Sequence, residues 1–331
     1  MTQTRLPQCP SLPPEIWIRI LSYNTDLTHL WTVCRRVSSP FRAYTEQVFA
    51  DSVIRTMQID FQLEKYNLGG KSKRPEVPTS YARFVLGIKL EDGGREKSLV
   101  CFQDHRKKSE VAGGKKKEYD RIMQRWESNV KERKPEMPNF TIRIGGLVND
   151  SELPGLSIDI SARQIQFDWR RALTLFFREE ALLRFLRAKW HAESEEIMKR
   201  NKERLAKGEH LTADDYPVSR AAAEDEMRKQ IRRKRLQEHY AENKRMVWAI
   251  GSLKLFENSS SGTGSSKAFK LNPDLPGTGI GEKYFGSTPL VQELYLDEWS
   301  CMHRIDTKLE HIKGEEEFPR YSVPPPELKK E

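Results

Sequence analysis

Three acidic residues near the middle of the chain are the first candidates for chemistry. Asp150, Glu152 and Asp159 lie close together in sequence, and neighbouring carboxylates can act as general acid and base or bind a divalent cation. No histidine lies nearby to complete a ligand set. Asn149-Asp150 and Pro154-Gly155 are typical of turns, in which a side-chain oxygen bonds to the adjacent backbone. We therefore predict a turn here and no metal site.

The glycine-rich segment Gly277 to Lys283 is the second candidate, because glycine-rich loops can hold phosphate groups. It lacks the Gly-Lys-Ser or Gly-Lys-Thr ending of such loops, and it follows Pro273 and Pro276 without a clear preceding strand. The segment continues a serine- and glycine-rich stretch, residues 259–266, whose composition favours disorder. We predict a flexible loop and no cofactor.

Neither the histidines nor the cysteines form a recognisable catalytic or metal-binding pattern. None of the seven histidines lies in a nucleophile elbow or at metal-ligand spacing. The four cysteines are widely separated and include no Cys-x-x-Cys pair: Cys9, Cys34, Cys101 and Cys301. We expect reduced thiols and no disulfide framework, and we predict that the protein is not an enzyme.

The composition indicates a protein of the cytoplasm, the nucleus or both. Of its 331 residues, 32% are charged and 37% are hydrophobic, so the chain can form one substantial core with large polar excursions. The first residues lack the apolar region of a signal peptide, and no apolar run is long enough to cross a bilayer. We predict no membrane association.

The N-terminal segment has the signals of three short helices. Pro13 and Pro14 suit a first helical turn, where an amide hydrogen has no partner within the helix. Asp26 and Ser38 are residue types that cap the next two helices. Apolar residues recur at helical spacing along all three. So small a bundle cannot bury this apolar surface alone, which indicates a partner or packing against the following domain.

The same segment resembles an F-box, the module through which substrate receptors join SCF-type ubiquitin ligases. The resemblance runs from Leu12 to about Arg42 and rests on Leu12-Pro13-Pro14-Glu15, then Ile20-Leu21-Ser22-Tyr23, then Val33-Cys34-Arg35. Many F-boxes have tryptophan at the position of Val37. A valine at this position is closer to the pattern of fungal members. A second stretch, residues 145–180, is similar to the central region of uncharacterised fungal F-box proteins.

The resemblance implies a non-catalytic subunit of a ubiquitin ligase. Such a subunit docks on the Skp adaptor, and through it on a cullin-RING ligase, and recruits an unknown protein substrate. The residues that match the motif would lie at the adaptor contact: Leu12, Pro13, Ile16, Ile20, Leu21, Leu30, Val33 and Cys34. The alternative is that residues 12–55 are only the N-terminal helical part of a larger core.

The remaining patterns predict an α+β fold, in which a three-helix F-box module precedes a β-sheet domain with long charged helices. We expect the module at residues 1–66, a linker at 67–80 rich in glycine, proline and charge, and a substrate-recruiting domain at 81–331. Alternating apolar residues predict a sheet with one buried face, including a hairpin that turns at Asp92-Gly93-Gly94. Disorder is expected in loops at about 105–118 and 257–268 and in a tail at 322–331.

Two charged helices, at about 195–207 and 221–246, are expected to lie outside a core that ends near residue 191. The second contains a basic cluster, Arg232, Arg233, Lys234 and Arg235. With a net charge of +9, this cluster could bind a polyanion or act as a nuclear-import signal, and the protein would then be a nucleic-acid-associated or nuclear scaffold. We favour a solvated helix of mixed charge, and we regard a nucleic-acid partner as improbable, because no aromatic stacking platform accompanies the cluster.

Overall fold

The computed structural model describes residues 12–62, 81–86, 99–104, 116–260 and 288–317. The described chain begins with three helices, α1 (Pro14–Ser22), α2 (Leu27–Thr32) and α3 (Ser39–Val48). Asp26 accepts a hydrogen bond from the amide of His29 at 3.0 Å, and Ser38 accepts one from the amide of Phe41 at 3.3 Å. These bonds cap α2 and α3, so the three predicted helices and their starts are confirmed.

A π-helical turn, Phe49–Val53, leads from α3 into the short helix α4 (Ile54–Thr56) and then into the sheet. Among the described residues the sheet has seven antiparallel strands: β1 (Gln58–Gln62), β2 (Tyr81–Leu86), β3 (Leu99–Asp104), β4 (Phe140–Ile144), β5 (Leu147–Asn149), β6 (Ser157–Asp159) and β7 (Gln164–Asp168). Their order across the sheet is β5-β4-β1-β2-β3-β7-β6. The fold is therefore of the predicted mixed α+β class.

Strand β1 lies within the residues that were assigned to the helical module. It pairs with β2 on one side and with β4 on the other, so the sheet begins before residue 81. The predicted hairpin partners do pair: Phe84 lies opposite Asp104 and Leu86 opposite Phe102. A module boundary after residue 66 would separate β1 from its neighbours, and the helical part consequently ends at α4.

One face of the sheet packs against the helices in a continuous core. Phe61, Phe102, Ile142 and Phe167 lie on this face and are almost fully buried, as is Trp126 of the next helix, α5 (Lys116–Lys131). Alternation along the strands produces this face, since successive side chains of a strand point to opposite sides.

The prediction of only one buried face is wrong at one end of the sheet. Asp60 and Thr141 point to the opposite face from Phe61 and Ile142, yet they are only 4% and 6% exposed. The C-terminal helix α9 (Thr288–Glu317) packs over β5 on this side, and its Lys308 forms a buried ion pair with Asp60. At the other end, Gln103 and Gln166 on the corresponding face remain exposed.

The core does not end near residue 191. Helix α6 (Trp169–Ala206) is continuous past residue 191 and includes the predicted charged helix at about 195–207, and two further helices, α7 (Arg220–His239) and α8 (Lys244–Ser260), follow. Met227, Ile231 and Leu236 of α7 are buried against α6 and α8, so the solvated interpretation of this helix is wrong. The helix is mostly polar in composition, but these three apolar side chains form a face that packs in the core.

Several predictions concern residues outside the described ranges. These are the linker at 67–80, the turn at 92–94, the glycine-rich segment 277–283 and the tail at 322–331. The predicted disordered loops lie partly there as well. Residues 116–118 are instead the start of α5, and residues 257–260 are the end of α8.

Candidate functional site

Helix α1 exposes large aliphatic side chains on one face while it buries the other. Ile16 is 43% exposed and Ile20 is 47% exposed, and four-residue spacing places both on the same side of the helix. Leu21, only 6% exposed, belongs to the main core, and Trp17 packs on Phe41 of α3 with ring centroids 4.9 Å apart. The helix is therefore anchored by one face and leaves an apolar row on the other.

Further apolar side chains are exposed immediately before α1 and after α2. Leu12 is 36% exposed, Val33 is 48% exposed and Val37 is 64% exposed. We call Leu12, Ile16, Ile20, Val33 and Val37 the N-terminal apolar set. Sequence reasoning did not include Val37 among the contact residues, although an aliphatic residue between Arg36 and Ser38 was the available signal.

Not every predicted contact residue is accessible. Pro13 is exposed and Cys34 is half-buried, but Leu21 and Leu30 are 6% and 0% exposed. Both belong to the core that the helices share with the sheet. They are therefore not part of the exposed surface, and their assignment to an adaptor contact stays a prediction. The apolar spacing along a short helix does not distinguish its inner face from its outer face.

Trp31 of α2 packs the N-terminal helices against the rest of the protein. Its indole is 2% exposed, lies 4.7 Å from the ring of Phe49 and 6.0 Å from that of Trp169, and donates a hydrogen bond to Thr174 at 3.3 Å. Arg35 stacks on its face at 4.5 Å. The helical segment is thus part of a larger core, as in the alternative interpretation, and it presents an apolar face as well.

The basic cluster on α7 is mainly an internal ion-pair network. Arg232 and Arg233 are 2% and 9% exposed. Arg232 binds Asp150 and the carbonyl oxygen of Glu136, and Arg233 binds Glu298 of α9 with nitrogen to oxygen distances from 2.5 to 3.2 Å. The third internal member is Arg235, and Lys234 is exposed.

Arg235 joins the buried carboxylate of Asp150 to the half-buried carboxylate of Glu179. It binds Asp150 at 2.7 Å and Glu179 of α6 at 2.9 Å. Burial alone would raise the pKa of Asp150, but Arg235 and Arg232 hold that pKa well below its usual range. Burial raises the pKa of Glu179, against the attraction of Arg235. Asp150, first considered for acid and base chemistry, is therefore a charged structural residue that joins β5 to α7.

Comparisons of the chain with protein-family models, with curated proteins and with solved structures gave no match. Among the described residues, no group of three or more metal-ligating side chains comes together. In the same part of the chain, no helix is both long enough and apolar enough to cross a bilayer.

Proposed function

We propose that this protein is an F-box type substrate-recognition subunit. Its N-terminal apolar set docks on the Skp adaptor of a cullin-RING ubiquitin ligase, and the remainder of the chain recruits the target protein. The proposal involves no catalysis, cofactor or metal ion in this chain, because the ligase supplies the chemistry. Under this proposal the protein acts in the cytoplasm, in the nucleus or in both.

One observation carries the proposal: Ile16 and Ile20 share an exposed face of α1 although the opposite face is packed in the core. Exposed aliphatic groups gain roughly 25 cal/mol for each Å² that a partner covers, and clustered exposed apolar residues mark interaction sites. This segment is also the one that resembles an F-box. The two lines of support concern the same residues.

The alternative function, a nucleic-acid-associated or nuclear scaffold protein, has weaker support. It depends on free cations along α7, whereas Arg232, Arg233 and Arg235 are engaged with carboxylates. Phosphate contacts require lysines and arginines that can replace condensed counterions. Lys234 alone among the four is exposed.

The test is a binding measurement between the full chain and purified Skp adaptor. The variant Ile16→Asp with Ile20→Asp places two charges on the exposed row, so we expect affinity to fall at least about tenfold, which corresponds to about 1.4 kcal/mol. A matched control is Leu205→Asp with Val218→Asp, because these residues are 53% and 64% exposed and lie outside the N-terminal set. Thermal unfolding confirms that both variants fold.

The wild-type chain and the control pair should bind the adaptor with equal affinity. A wild-type chain that does not bind the adaptor at micromolar concentrations contradicts the proposal. Equal loss in both double variants would also contradict it, since that result would mean that added negative charge matters wherever it is placed.

A further inference from the structure

A cavity of about 360 Å³ opens between the segment before β4, the connection after β5, and helices α6 and α7. Its size lies within the range of ligand pockets, which begins at about 300 Å³. Six apolar residues line it: Pro135, Pro138, Phe140, Leu153, Leu175 and Leu236. None of these belongs to the N-terminal apolar set, so the cavity is a separate feature.

The charged residues at the inner wall of the cavity form ion pairs with one another. Arg235 is held between Asp150 and Glu179, and all three line the cavity. A charged ligand group placed there would have to displace an existing partner, at the cost of leaving a buried charge without compensation. The inner wall therefore favours an uncharged, apolar group.

The rim is different, because part of its positive charge is available. Lys134 is 54% exposed and pairs with the 58% exposed Glu293 at 3.3 Å, an arrangement that contributes little and exchanges easily. The neighbouring Arg133 is exposed and makes no ion pair with any residue that the structure describes. Arg178 is matched by Glu238 at 2.8 Å. One side of the cavity thus offers Arg133, together with Lys134 if its surface pair with Glu293 opens, and Glu136 and Asp297 also lie close enough to Lys134 to raise its pKa.

Glu152 limits where a negative charge can go. This exposed carboxylate also lines the cavity, and within the described ranges it has no cationic partner. An acidic group is therefore attracted most strongly near Arg133, must compete with Glu293 for Lys134, and is repelled near Glu152. The net charge of +9 favours acidic partners at longer range.

We propose that this cavity is the target-recognition site and that its occupant is a short protein segment with one large apolar side chain next to acidic residues. The apolar side chain enters between Phe140, Leu175 and Leu236, and the acidic residues lie against Arg133 and Lys134. This inference rests on the proposed function, because it supplies the recruiting site that a ligase subunit requires. The apolar anchor fits the general pattern in which a few buried groups supply most of the binding energy.

The test uses the full chain and labelled synthetic peptides whose central position carries each natural amino acid in turn, followed by two glutamates. Fluorescence anisotropy measures binding. We expect the highest affinity with a large apolar residue at the centre, and at least about fivefold weaker binding when alanine replaces it or when lysines replace the glutamates.

Two variants of the protein and one control pair locate the site. Arg133→Glu with Lys134→Glu should weaken binding of the glutamate peptides at least about tenfold and should relatively favour the lysine peptides. Lys202→Glu with Lys207→Glu changes the net charge equally at exposed positions on α6 and beyond its end, and it should change affinity less than about twofold. Leu175→Trp fills the cavity from a half-buried position and should abolish binding, with thermal unfolding as the check on folding.

Three results would overturn the inference: no peptide of the set binds, the lysine peptides bind as tightly as the glutamate peptides, or folded Leu175→Trp binds normally. Adaptor binding is measured in parallel and should be unchanged in all these variants. If peptides bind in the cavity while the wild-type chain fails to bind the adaptor, the recognition site stands and the ligase role falls. If the wild-type chain binds the adaptor but no peptide binds in the cavity, the inferred recognition site is wrong and the ligase role is unaffected.

Discussion

The Glu46 carboxylate of α3 accepts a hydrogen bond from Arg170 of α6 at 2.8 Å. Its other oxygen accepts two from Arg35, at 2.9 and 2.7 Å. Glu46 therefore connects the segment after α2 to the long helix α6. The contacts of Trp31 with Phe49, Trp169 and Thr174 also join the N-terminal helices to the rest of the core. These contacts and the Glu46 hydrogen bonds together hold the N-terminal apolar set in place relative to the sheet.

Glu46→Gln should destabilise the fold by about 1 to 3 kcal/mol, the usual range for losing hydrogen bonds between charged groups. The Glu46 side chain is 15% exposed, and the bridge to Arg170 is therefore partly shielded from solvent. The measurement is the urea midpoint of unfolding. Glu127→Gln is the matched control, because the side chains of Lys131 and Glu127 in that pair are 62% and 37% exposed, and we expect less than about 0.5 kcal/mol there.

Trp31→Ala should destabilise by about 3 to 5 kcal/mol, since it removes a buried aromatic ring and leaves a cavity. Trp31→Phe keeps an aromatic ring in contact with Phe49 and loses the hydrogen bond to Thr174, so we expect a smaller loss of about 1 to 2 kcal/mol. Chemical denaturation measures both. Equal losses in the two variants would mean that the hydrogen bond, and not the packing, holds α2 against α6.

Much of the N-terminal half could be predicted from local signals. Asp26 and Ser38 cap helices through bonds that involve only neighbouring residues, and the strands β3 and β7 follow from alternation in which one face meets the core. Such features depend on residues close in sequence, where composition and spacing carry the information. The apolar row Ile16 and Ile20 was likewise visible as a pattern.

The C-terminal half could not be predicted in the same way. Arg233 is buried because Glu298 lies opposite it on another helix, and Asp60 is buried because Lys308 reaches the sheet from α9. These pairs join residues far apart in the chain, and charged side chains are otherwise rarely buried. A charged helix that packs through ion pairs therefore has the composition of a solvated one. The cavity, whose lining comes from four separate segments, has no local signal.

Arg235→Met should destabilise the protein by about 3 kcal/mol, because it leaves the half-buried Glu179 without its ion-pair partner and the buried Asp150 with Arg232 alone. The adjacent Lys234→Met is the control. Lys234 is exposed, so its loss should change the free energy of unfolding by less than about 0.5 kcal/mol. Urea denaturation of both variants separates an internal network from a solvated cluster. Equal small effects would contradict the structural role assigned to Arg235.

Glu180 makes the stability of the fold depend on pH. Burial raises its pKa to about 7, against the attraction of Arg187 and Arg228, whereas an unfolded glutamate titrates near its usual value of about 4.3. Between pH 4.3 and pH 7, roughly, Glu180 is protonated in the folded protein and ionised in the unfolded chain, so the folded state binds one proton more. Stability attributable to this group is therefore greatest below about pH 4, decreases as the pH rises through 7, and is constant above that.

Glu180→Gln replaces the buried carboxylate with a neutral group of similar shape and should remove this dependence. At pH 8 the variant should be more stable than the wild type by up to about 4 kcal/mol, at about 1.4 kcal/mol for each pKa unit, and at pH 4 the two should be nearly equal. Urea denaturation across this pH range measures the difference between them, which cancels the titration of the other groups. Glu193→Gln is the control, because the side chains of Lys189 and Glu193 in its ion pair are 62% and 59% exposed, and its difference from the wild type should stay flat with pH. A Glu180→Gln difference that is also flat, or that grows toward acid, would show that the carboxylate is charged and compensated in the folded protein at neutral pH.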